Sequence, residues 1–480
     1  MPSLIFAISG GIVGGVVVAL IPEAKSRFRN IAVFIFALVS AIFSWLTALN
    51  IFSGKSVQIS KTLWGLNWVL NPDPLGAVFG LIASTLWIFA AVYSFGYMAK
   101  KQNLRTYYTF FLISLSMTLG VAFSGGLVTL YLFYELLTFS TYPLVIHERS
   151  PVAVRAGAKY ILYSLSGAGA ILVAIILTYI KAGNSDFSST PILANESHIG
   201  LNWLLLLFVA GFGVKAAIMP LHRWLPEAMA APTPVSALLH AVAVVYSGVY
   251  GILRVVYSIF GHELVGKLAF SKLILWVTAF TILAGIIIAI KQDVLKRRLA
   301  YQTISHLSYI ILGAFTLQPW GLAGAVMHMI GYSMLKITLF FCAGIIAEQT
   351  GETKVSNLDG VGRVLPKTMI AFSIATMGMI GMLPLSTFWG KYYLMKGSVA
   401  AGKWPLALVL ICSGIINGIC FIPVIMSTFK KKEVKNNIEM GNRRYFMLIP
   451  TVILIVAALI TGFMPGLVWH GVEAVVNWFF

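Results

Sequence analysis

The chain has 480 residues, of which 59% are hydrophobic and only 10% are charged. Soluble globular domains carry about 25% charged residues, so the composition excludes that class and predicts a multi-pass protein of the cell membrane. The net charge of +19 would suggest nucleic acid as the partner of a soluble protein. Here the basic residues fall mostly between hydrophobic runs, where they serve as topology signals, and we expect no nucleic-acid partner.

Apolar runs of about 20 residues are long enough to cross a bilayer as helices. The predicted fold class is an all-α polytopic membrane protein with about 14 transmembrane helices. The first run begins without a basic region and lacks a small-residue cleavage site, so we expect a retained helix rather than a signal peptide. The predicted spans are residues 3–22, 31–52, 76–98, 107–122, 125–146, 156–180, 201–219, 234–256, 270–290, 298–316, 321–346, 368–399, 404–428 and 445–463.

Lysine and arginine are concentrated in the connections that follow odd-numbered spans. Connections rich in these residues stay in the cytoplasm. With an even number of spans, both termini are then expected outside the cytoplasm. The clearest clusters are Lys25 with Arg27 and Arg29, Lys100 with Lys101 and Arg105, Lys296 with Arg297 and Arg298, and Lys430 with Lys431 and Lys432.

Three cysteines, Cys342, Cys412 and Cys420, lie in apolar segments without CxxC spacing. This pattern argues against a disulfide framework, an iron–sulfur site and a thiolate zinc site. We therefore expect no cofactor, no metal site and no redox chemistry that belongs to the chain itself.

Glu135 is the one carboxylate that lies in the middle of a predicted span. It stands at the centre of GGLVTLYLFYELLTFSTYPLVIH, where an ionised carboxylate is least tolerated. An ionisable residue at that depth is a functional-site hypothesis by default. The alternative interpretation is a purely structural ion pair.

Lys215 supplies the opposite charge two spans later, inside another apolar run. Pro220 follows it closely, and proline cannot donate a helix hydrogen bond, so the seventh helix is predicted to be interrupted. Interrupted backbone at membrane depth persists only against protein or a water-filled cavity. The lysine and the break together predict a hydrated pocket. His240 lies shortly afterwards, and its alternative interpretation is a hydrogen-bonded core histidine.

The second half of the sequence repeats this arrangement in the segment MLPLSTFWGK, residues 382–391. Pro384 corresponds to Pro220, and Lys391 places a second buried cation beside a second break. Paired interrupted helices in two halves of a chain are typical of inverted-repeat transporters.

Between the two breaks, His328, Tyr332 and Lys336 are spaced at i, i+4 and i+8. This spacing puts them on one helix face with a rise of about 6 Å between neighbours, which suits a proton relay. Histidine titrates near neutral pH, and a desolvated lysine loses its proton readily. His306, in QTISHLSY, could extend the polar line.

Taken together, VKAAIMPLHRWLPEAMAAPTPVSALLHAVAVVYSGVY, the span around Glu135, HMIGYSMLK and LPLSTFWGK resemble the antiporter-like subunit family. Its members are the large membrane subunits of respiratory complex I, the Mrp sodium/proton antiporter subunits and related subunits of membrane-bound hydrogenases. The resemblance covers residues 70–430, roughly. It implies two inverted five-helix repeats with a broken helix in each.

The resemblance also implies roles for individual residues. Glu135 matches the channel glutamate, Lys215 the channel lysine, Lys336 the central lysine and Lys391 the exit-side lysine, and His240 and His328 match family positions. The chain departs from the family at Tyr246, where members usually carry a second lysine or a polar residue, and at Tyr332, where some members carry a second histidine. The implied domains are residues 1–106 with three helices, 107–258 and 259–428 with one repeat each, and 429–480 with the last helix and a tail.

We therefore expect a subunit that moves protons, alone or in exchange for sodium, through a relay of Glu135, Lys215, His240, His328, Lys336 and Lys391. Its expected partners are other integral membrane subunits of a redox-driven pump or an Mrp-type antiporter. Two alternatives remain open at this point. One is a secondary transporter of a small solute, and the other is a non-pumping scaffold subunit of a membrane dehydrogenase or hydrogenase.

Overall fold

The computed structural model describes residues 2–63, 66–194, 196, 200–430 and 443–480. Its first half contains helices α1 (Pro2–Leu20), α2 (Ser26–Phe52), α3 (Pro74–Tyr97), α4 (Leu104–Ala122), α5 (Leu127–Val145), α6 (Pro151–Ala182), α7 (Leu201–Lys215), α8 (Trp224–Glu227), α9 (Thr233–Ala241) and α10 (Val244–Arg254). Its second half contains α11 (His262–Lys267), α12 (Ala269–Ile290), α13 (Leu295–Phe315), α14 (Pro319–Thr350), α15 (Val361–Val364), α16 (Pro366–Ile380), α17 (Ser386–Ala400), α18 (Pro405–Thr428), α19 (Arg443–Phe463) and α20 (Gly466–Phe479).

A short antiparallel ribbon, which the sequence did not predict, accompanies the helices. Strands β1 (Ile59–Leu63) and β2 (Leu66–Leu70) pair with Ile59 opposite Leu70. The Val69 amide donates to the Thr129 hydroxyl at 2.8 Å. The ribbon is thereby tied to the first turn of α5.

Nine helical segments among the described residues are long and apolar enough to cross a membrane. The most interior ones are Thr233–Phe260, whose apolar window is completely buried within the protein, and Pro319–Thr350, whose window is 89% buried. The others are Pro2–Leu20, Ser26–Phe52, Pro74–Lys100, Pro151–Ala182, Ala269–Ile290, Pro405–Thr428 and Arg443–Phe463. The segment that holds His240 and the one that holds Lys336 therefore form the centre of the bundle.

Helices lie over each of the predicted spans, but the spans do not all form continuous helices. The seventh ends early at Lys215, and the twelfth divides into α16 and α17 around Pro384. The eighth is also divided, at residues 242–243, where the sequence has neither proline nor glycine. The total of about 14 crossings, the two repeats and the placement of the termini stay predictions. Of the basic clusters, Lys431 and Lys432 lie outside the described residues.

A buried ion pair joins α10 to the start of α3. The two terminal guanidinium nitrogens of Arg254 contact the Asp73 carboxylate, with Nη2 at 2.7 Å from Oδ1. Arg254 is 1% exposed and Asp73 is 8% exposed. The same carboxylate accepts the Gly76 amide at 2.9 Å and so caps α3. One carboxylate thus neutralises a buried cation and begins a helix.

We predict that Asp73→Asn lowers the free energy of unfolding by about 3–5 kcal/mol, because it leaves Arg254 buried without its counter-charge. The matched control is Glu148→Gln, which removes the partner of Lys101 from a pair 3.4 Å apart whose side chains are 37% and 40% exposed. That change should lower the free energy of unfolding by less than about 1 kcal/mol. Equilibrium unfolding in mixed micelles measures both, and equal losses would contradict the prediction.

Candidate functional site

Lys215 and Glu135 are both buried and lie near each other between α5 and α7. The Lys215 ammonium donates to the Tyr134 carbonyl at 2.6 Å and lies 3.3 Å from the centroid of the Tyr134 ring. Lys215 is 0% exposed and Glu135 is 9% exposed. Their charged atoms are more than 4.0 Å apart, since no salt bridge joins them, yet the two charges interact. The lysine is held by the backbone one residue before the glutamate.

The first helix interruption begins directly after Lys215. Ala217 adopts a left-handed φ of 57°, which an alanine seldom takes, and the Met219–Pro220 peptide is cis. The Trp224 indole donates to the Val214 carbonyl at 2.7 Å. This carbonyl also accepts the Ala217 amide at 3.1 Å, so the indole adds a second hydrogen bond at the end of α7. The break predicted from Pro220 is therefore present and is stabilised by a side chain.

His240 lies two residues before the second interruption, which the sequence did not indicate. Its backbone carbonyl accepts the Tyr332 hydroxyl at 3.2 Å, and the Tyr246 hydroxyl donates to the Met329 carbonyl at 2.8 Å. The two tyrosines therefore cross-link α9 and α10 to α14 in both directions. Both tyrosines therefore have a packing role.

The His240 ring is completely buried, and neither ring nitrogen has a hydrogen-bond partner among the residues that the structure describes. The ring centroid lies 5.2 Å from that of Phe340. The Lys336 ammonium lies 5.6 Å from the same Phe340 ring. Phe340 therefore lies beside both His240 and Lys336, and His240 faces the centre of the bundle as an unbonded titratable group.

A chain of side-chain hydrogen bonds runs from Lys336 to His328 through α13 and α18. The Lys336 ammonium donates to Gln302 Oε1 at 2.8 Å and to the Leu299 carbonyl at 2.6 Å. Gln302 Nε2 donates to Asn417 Oδ1 at 2.7 Å. Asn417 Nδ2 contacts His306 Nε2 at 2.8 Å, and His306 Nδ1 lies 3.2 Å from His328 Nε2.

This chain has a direction that the chemistry of its members imposes. An ammonium can only donate, so Gln302 presents its oxygen to Lys336 and donates onward through its nitrogen. Asn417 then donates to His306 Nε2, which must accept. A neutral His306 consequently carries its proton on Nδ1 and donates it to His328. The charge on Lys336 thereby orients two amides and selects the tautomers of two histidines.

Lys391 lies at the second predicted break and completes this cluster. Its ammonium donates to the carbonyls of Met379 and Ile380 at 2.9 and 2.7 Å, both at the end of α16. Carbonyls at a helix end attract a cation. Asn417 Nδ2 also donates to the Met379 carbonyl, at 3.4 Å. The hydrogen-bonded chain and Lys391 therefore meet at one backbone oxygen.

The two breaks are similar but not equivalent. Both contain a cis X–Pro peptide, Met219–Pro220 in one and Leu383–Pro384 in the other. Lys215 ends the helix before its break, whereas Lys391 lies in the helix after its break. The Trp389 indole does not bind the end of the preceding helix as Trp224 does, but donates to the Gly462 carbonyl of α19 at 2.8 Å. The resemblance between the breaks is thus one of backbone rather than of side-chain contacts.

Of the six residues singled out from the sequence, the structure brings Lys336, His328 and Lys391 into one cluster and Glu135 beside Lys215. His240 lies near Lys336, with the Phe340 ring next to both. The expected path along one face of α14 through Tyr332 is not the hydrogen-bonded one, because Tyr332 donates to the His240 carbonyl instead.

Sequence reasoning missed Gln302 and Asn417, although both had a signal. Gln302 lies four residues before His306, which places the two on the same face of α13. Asn417 is a side-chain amide in the middle of the apolar run of α18. Tyr309 was also missed, and its ring packs on both histidines, with centroids 4.9 Å from His306 and 5.1 Å from His328.

Comparisons with known proteins place residues 124–417 in a family described as NADH:quinone oxidoreductase/Mrp antiporter, transmembrane. NADH-quinone oxidoreductase subunit N of Desulforudis audaxviator is 31% identical over 423 residues, which cover 83% of this chain and 82% of that protein. Na(+)/H(+) antiporter subunit A1 of Staphylococcus haemolyticus is 28% identical over 494 residues, which cover 94% of this chain and 60% of the antiporter subunit. The resemblance drawn from the motifs is confirmed.

Among solved structures, a chain of the Mrp complex from Dietzia sp. DQ12-45-1b matches with a TM-score of 0.88. The match covers 99% of this chain and 97% of the other at 19% sequence identity. At that identity the likeness concerns the fold, and it confirms the predicted helical membrane architecture.

We predict that Asn417→Val removes the tautomer bias of His306, because it breaks the one contact that requires Nε2 to accept. The matched control is Ser413→Ala, one turn earlier on α18, whose hydroxyl contacts Ser305 at 3.4 Å outside the chain. Nitrogen-15 NMR of histidine-labelled protein measures the tautomer populations. Wild type and Ser413→Ala should show mainly the Nδ1-protonated form of His306. The same spectrum for Asn417→Val would contradict the prediction.

Proposed function

Because the chain belongs to the NADH:quinone oxidoreductase/Mrp antiporter transmembrane family, we propose that it is an ion-translocating membrane subunit that moves protons, alone or in exchange for sodium. The observation that carries this proposal is the set of titratable groups buried among apolar helices. Glu135 and Lys391 are 9% and 6% exposed, and Lys215, His240, His328 and Lys336 are 0% exposed. Such groups inside a membrane protein mark ion pathways.

The first step of the proposed mechanism is electrostatic. Two unit charges 4 Å apart interact by about 4 kcal/mol at an effective dielectric constant of 20. About 1.4 kcal/mol corresponds to one pKa unit. A change in the separation of Glu135 and Lys215 therefore changes the proton affinity of the lysine by several orders of magnitude. Alternation between a close and a separated pair would bind and release a proton.

The second step belongs to the cluster around Lys336. Side-chain amides do not pass a proton along as histidines do, so Gln302 and Asn417 transmit orientation rather than the proton itself. When Lys336 is charged, it fixes the hydrogen-bond direction toward His328. When it is neutral, its nitrogen can also accept, and the direction is no longer imposed. His306 and His328 are the groups of this cluster that exchange the proton, and Lys391 at the far break is the group that receives it.

The partners proposed for this chain are other integral membrane subunits of one complex. Three observations support this: the similarity to a subunit of an NADH-quinone oxidoreductase, the similarity to an antiporter subunit, and the fold match to a chain of the Mrp complex. The outer helices also expose large apolar side chains, such as Phe139, Trp276 and Phe280 at 54%, 51% and 64%. Lipid and neighbouring subunits would cover this surface.

We predict that Lys215→Ala and Glu135→Gln each lower proton flux at least about tenfold, since the loss of about 1.4 kcal/mol of stabilisation suffices for that factor. Flux is measured with a pH-sensitive dye in inverted membrane vesicles that contain the whole complex. The matched controls are Lys181→Ala and Glu263→Gln, both exposed. Subunit content is measured on the same membranes, so that a failure of assembly is recognised.

A Lys215→Ala variant that assembles and retains wild-type flux would contradict the proposed relay. The non-pumping scaffold would then be the better interpretation. A solute transporter would instead show flux that depends on an added organic substrate.

The coupling ion is decided by a separate measurement. If the chain exchanges sodium for protons, proton flux in the same vesicles rises with added sodium and is unchanged by added choline at equal ionic strength. Equal responses to the two cations would contradict sodium exchange. The remaining interpretation would then be proton transport without a counter-ion.

A further inference from the structure

A cavity of about 700 Å³ lies at one end of the bundle, and none of the residues of the proposed relay line it. It is lined by the start of α2, the residues that follow α3 and the start of α4. Three basic side chains, Arg29, Lys101 and Arg105, line it together with a single carboxylate, Glu23. Positive charge therefore predominates along its lining.

Arg29 is the most unusual member of this lining. It is 2% exposed, although an isolated buried charge is strongly unfavourable. Its guanidinium has one hydrogen bond, from Nη1 to the Glu23 carbonyl at 3.2 Å, and its Nε has no partner among the described residues. No described carboxylate lies within 4.0 Å of it. The Tyr108 ring, 5.6 Å from the guanidinium carbon, is its other neighbour.

The Glu23 carboxylate lines the cavity but is already engaged. Its two oxygens accept the amides of Leu104 and Arg105 at 2.7 and 3.2 Å, which caps the start of α4. Lys101 has a partner outside the cavity, Glu148, at 3.4 Å. Among the described residues, Arg29 is the buried cation of this lining that has no carboxylate partner.

We propose that this cavity binds a phosphate group, with Arg29 at its base and Lys101 and Arg105 at its rim. A guanidinium has five donors in a planar fork that matches the oxygens of a phosphate. The cavity also lies where the apolar helices α2 and α4 begin and α3 ends, which is the level of lipid headgroups. An anionic phospholipid therefore fits both the charge and the position, and inorganic phosphate shares the same chemistry.

The test uses the purified full chain in detergent and native mass spectrometry with phosphatidylglycerol or phosphatidylcholine. Wild type should retain phosphatidylglycerol in preference to phosphatidylcholine. Arg29→Gln should weaken phosphatidylglycerol binding about tenfold, the effect of one lost charge-assisted hydrogen bond. Arg105→Gln, an exposed residue of the rim, should weaken it in the same direction and guards against misfolding of the Arg29 variant.

The matched control is Arg27→Gln. Arg27 lies two residues before Arg29, is exposed and does not line the cavity, so this change removes the same charge from outside the site. It should bind as wild type does. A second arm titrates inorganic phosphate against the bound lipid. Displacement from wild type and not from Arg105→Gln would identify a site for free phosphate, whereas lipid that resists phosphate would identify a headgroup site.

Two results would overturn the proposal. One is that both Arg29→Gln and Arg105→Gln bind lipid and phosphate as strongly as the wild-type protein does. The other is an equal loss in Arg27→Gln, which would mean attraction to the basic surface in general.

Discussion

The removal of charged groups from water is the constraint on which this structure depends. Lys215, Lys336 and Lys391 are all held by backbone carbonyls rather than by carboxylates at contact distance. A carbonyl is neutral, so it can hold a lysine in either protonation state without leaving an opposite charge buried alone. Arg254, which is locked to Asp73, shows the contrasting arrangement of a permanent structural charge.

Helix interruptions provide some of the backbone carbonyls that accept these hydrogen bonds. The end of α16 presents its last carbonyls to Lys391, and the division between α9 and α10 frees the His240 carbonyl, which Tyr332 then occupies. A continuous helix uses these oxygens internally. The breaks thus have a chemical role besides bending the chain, because they supply acceptors at depths where water is scarce.

The sequence predicts charged positions well and neutral polar positions poorly. Glu135, Lys215 and Lys391 stand out because an ion in an apolar run is costly and needs an explanation. Gln302 and Asn417 are ordinary in such runs, and their importance comes from neighbours on other helices. The division at residues 242–243 and the ribbon of β1 and β2 also depend on tertiary contacts. Neither proline nor glycine marks the former, so local pattern could not locate it.

The paired tyrosines limit how the two halves of the molecule can move. Tyr246 donates from α10 to α14 and Tyr332 donates from α14 to α9, with the two ring centroids 6.2 Å apart, so α14 cannot slide along these neighbours unless both bonds break together. Large rocking of one half against the other is thereby disfavoured at the centre. These two hydrogen bonds still permit side chains to rotate within a fixed framework of helices.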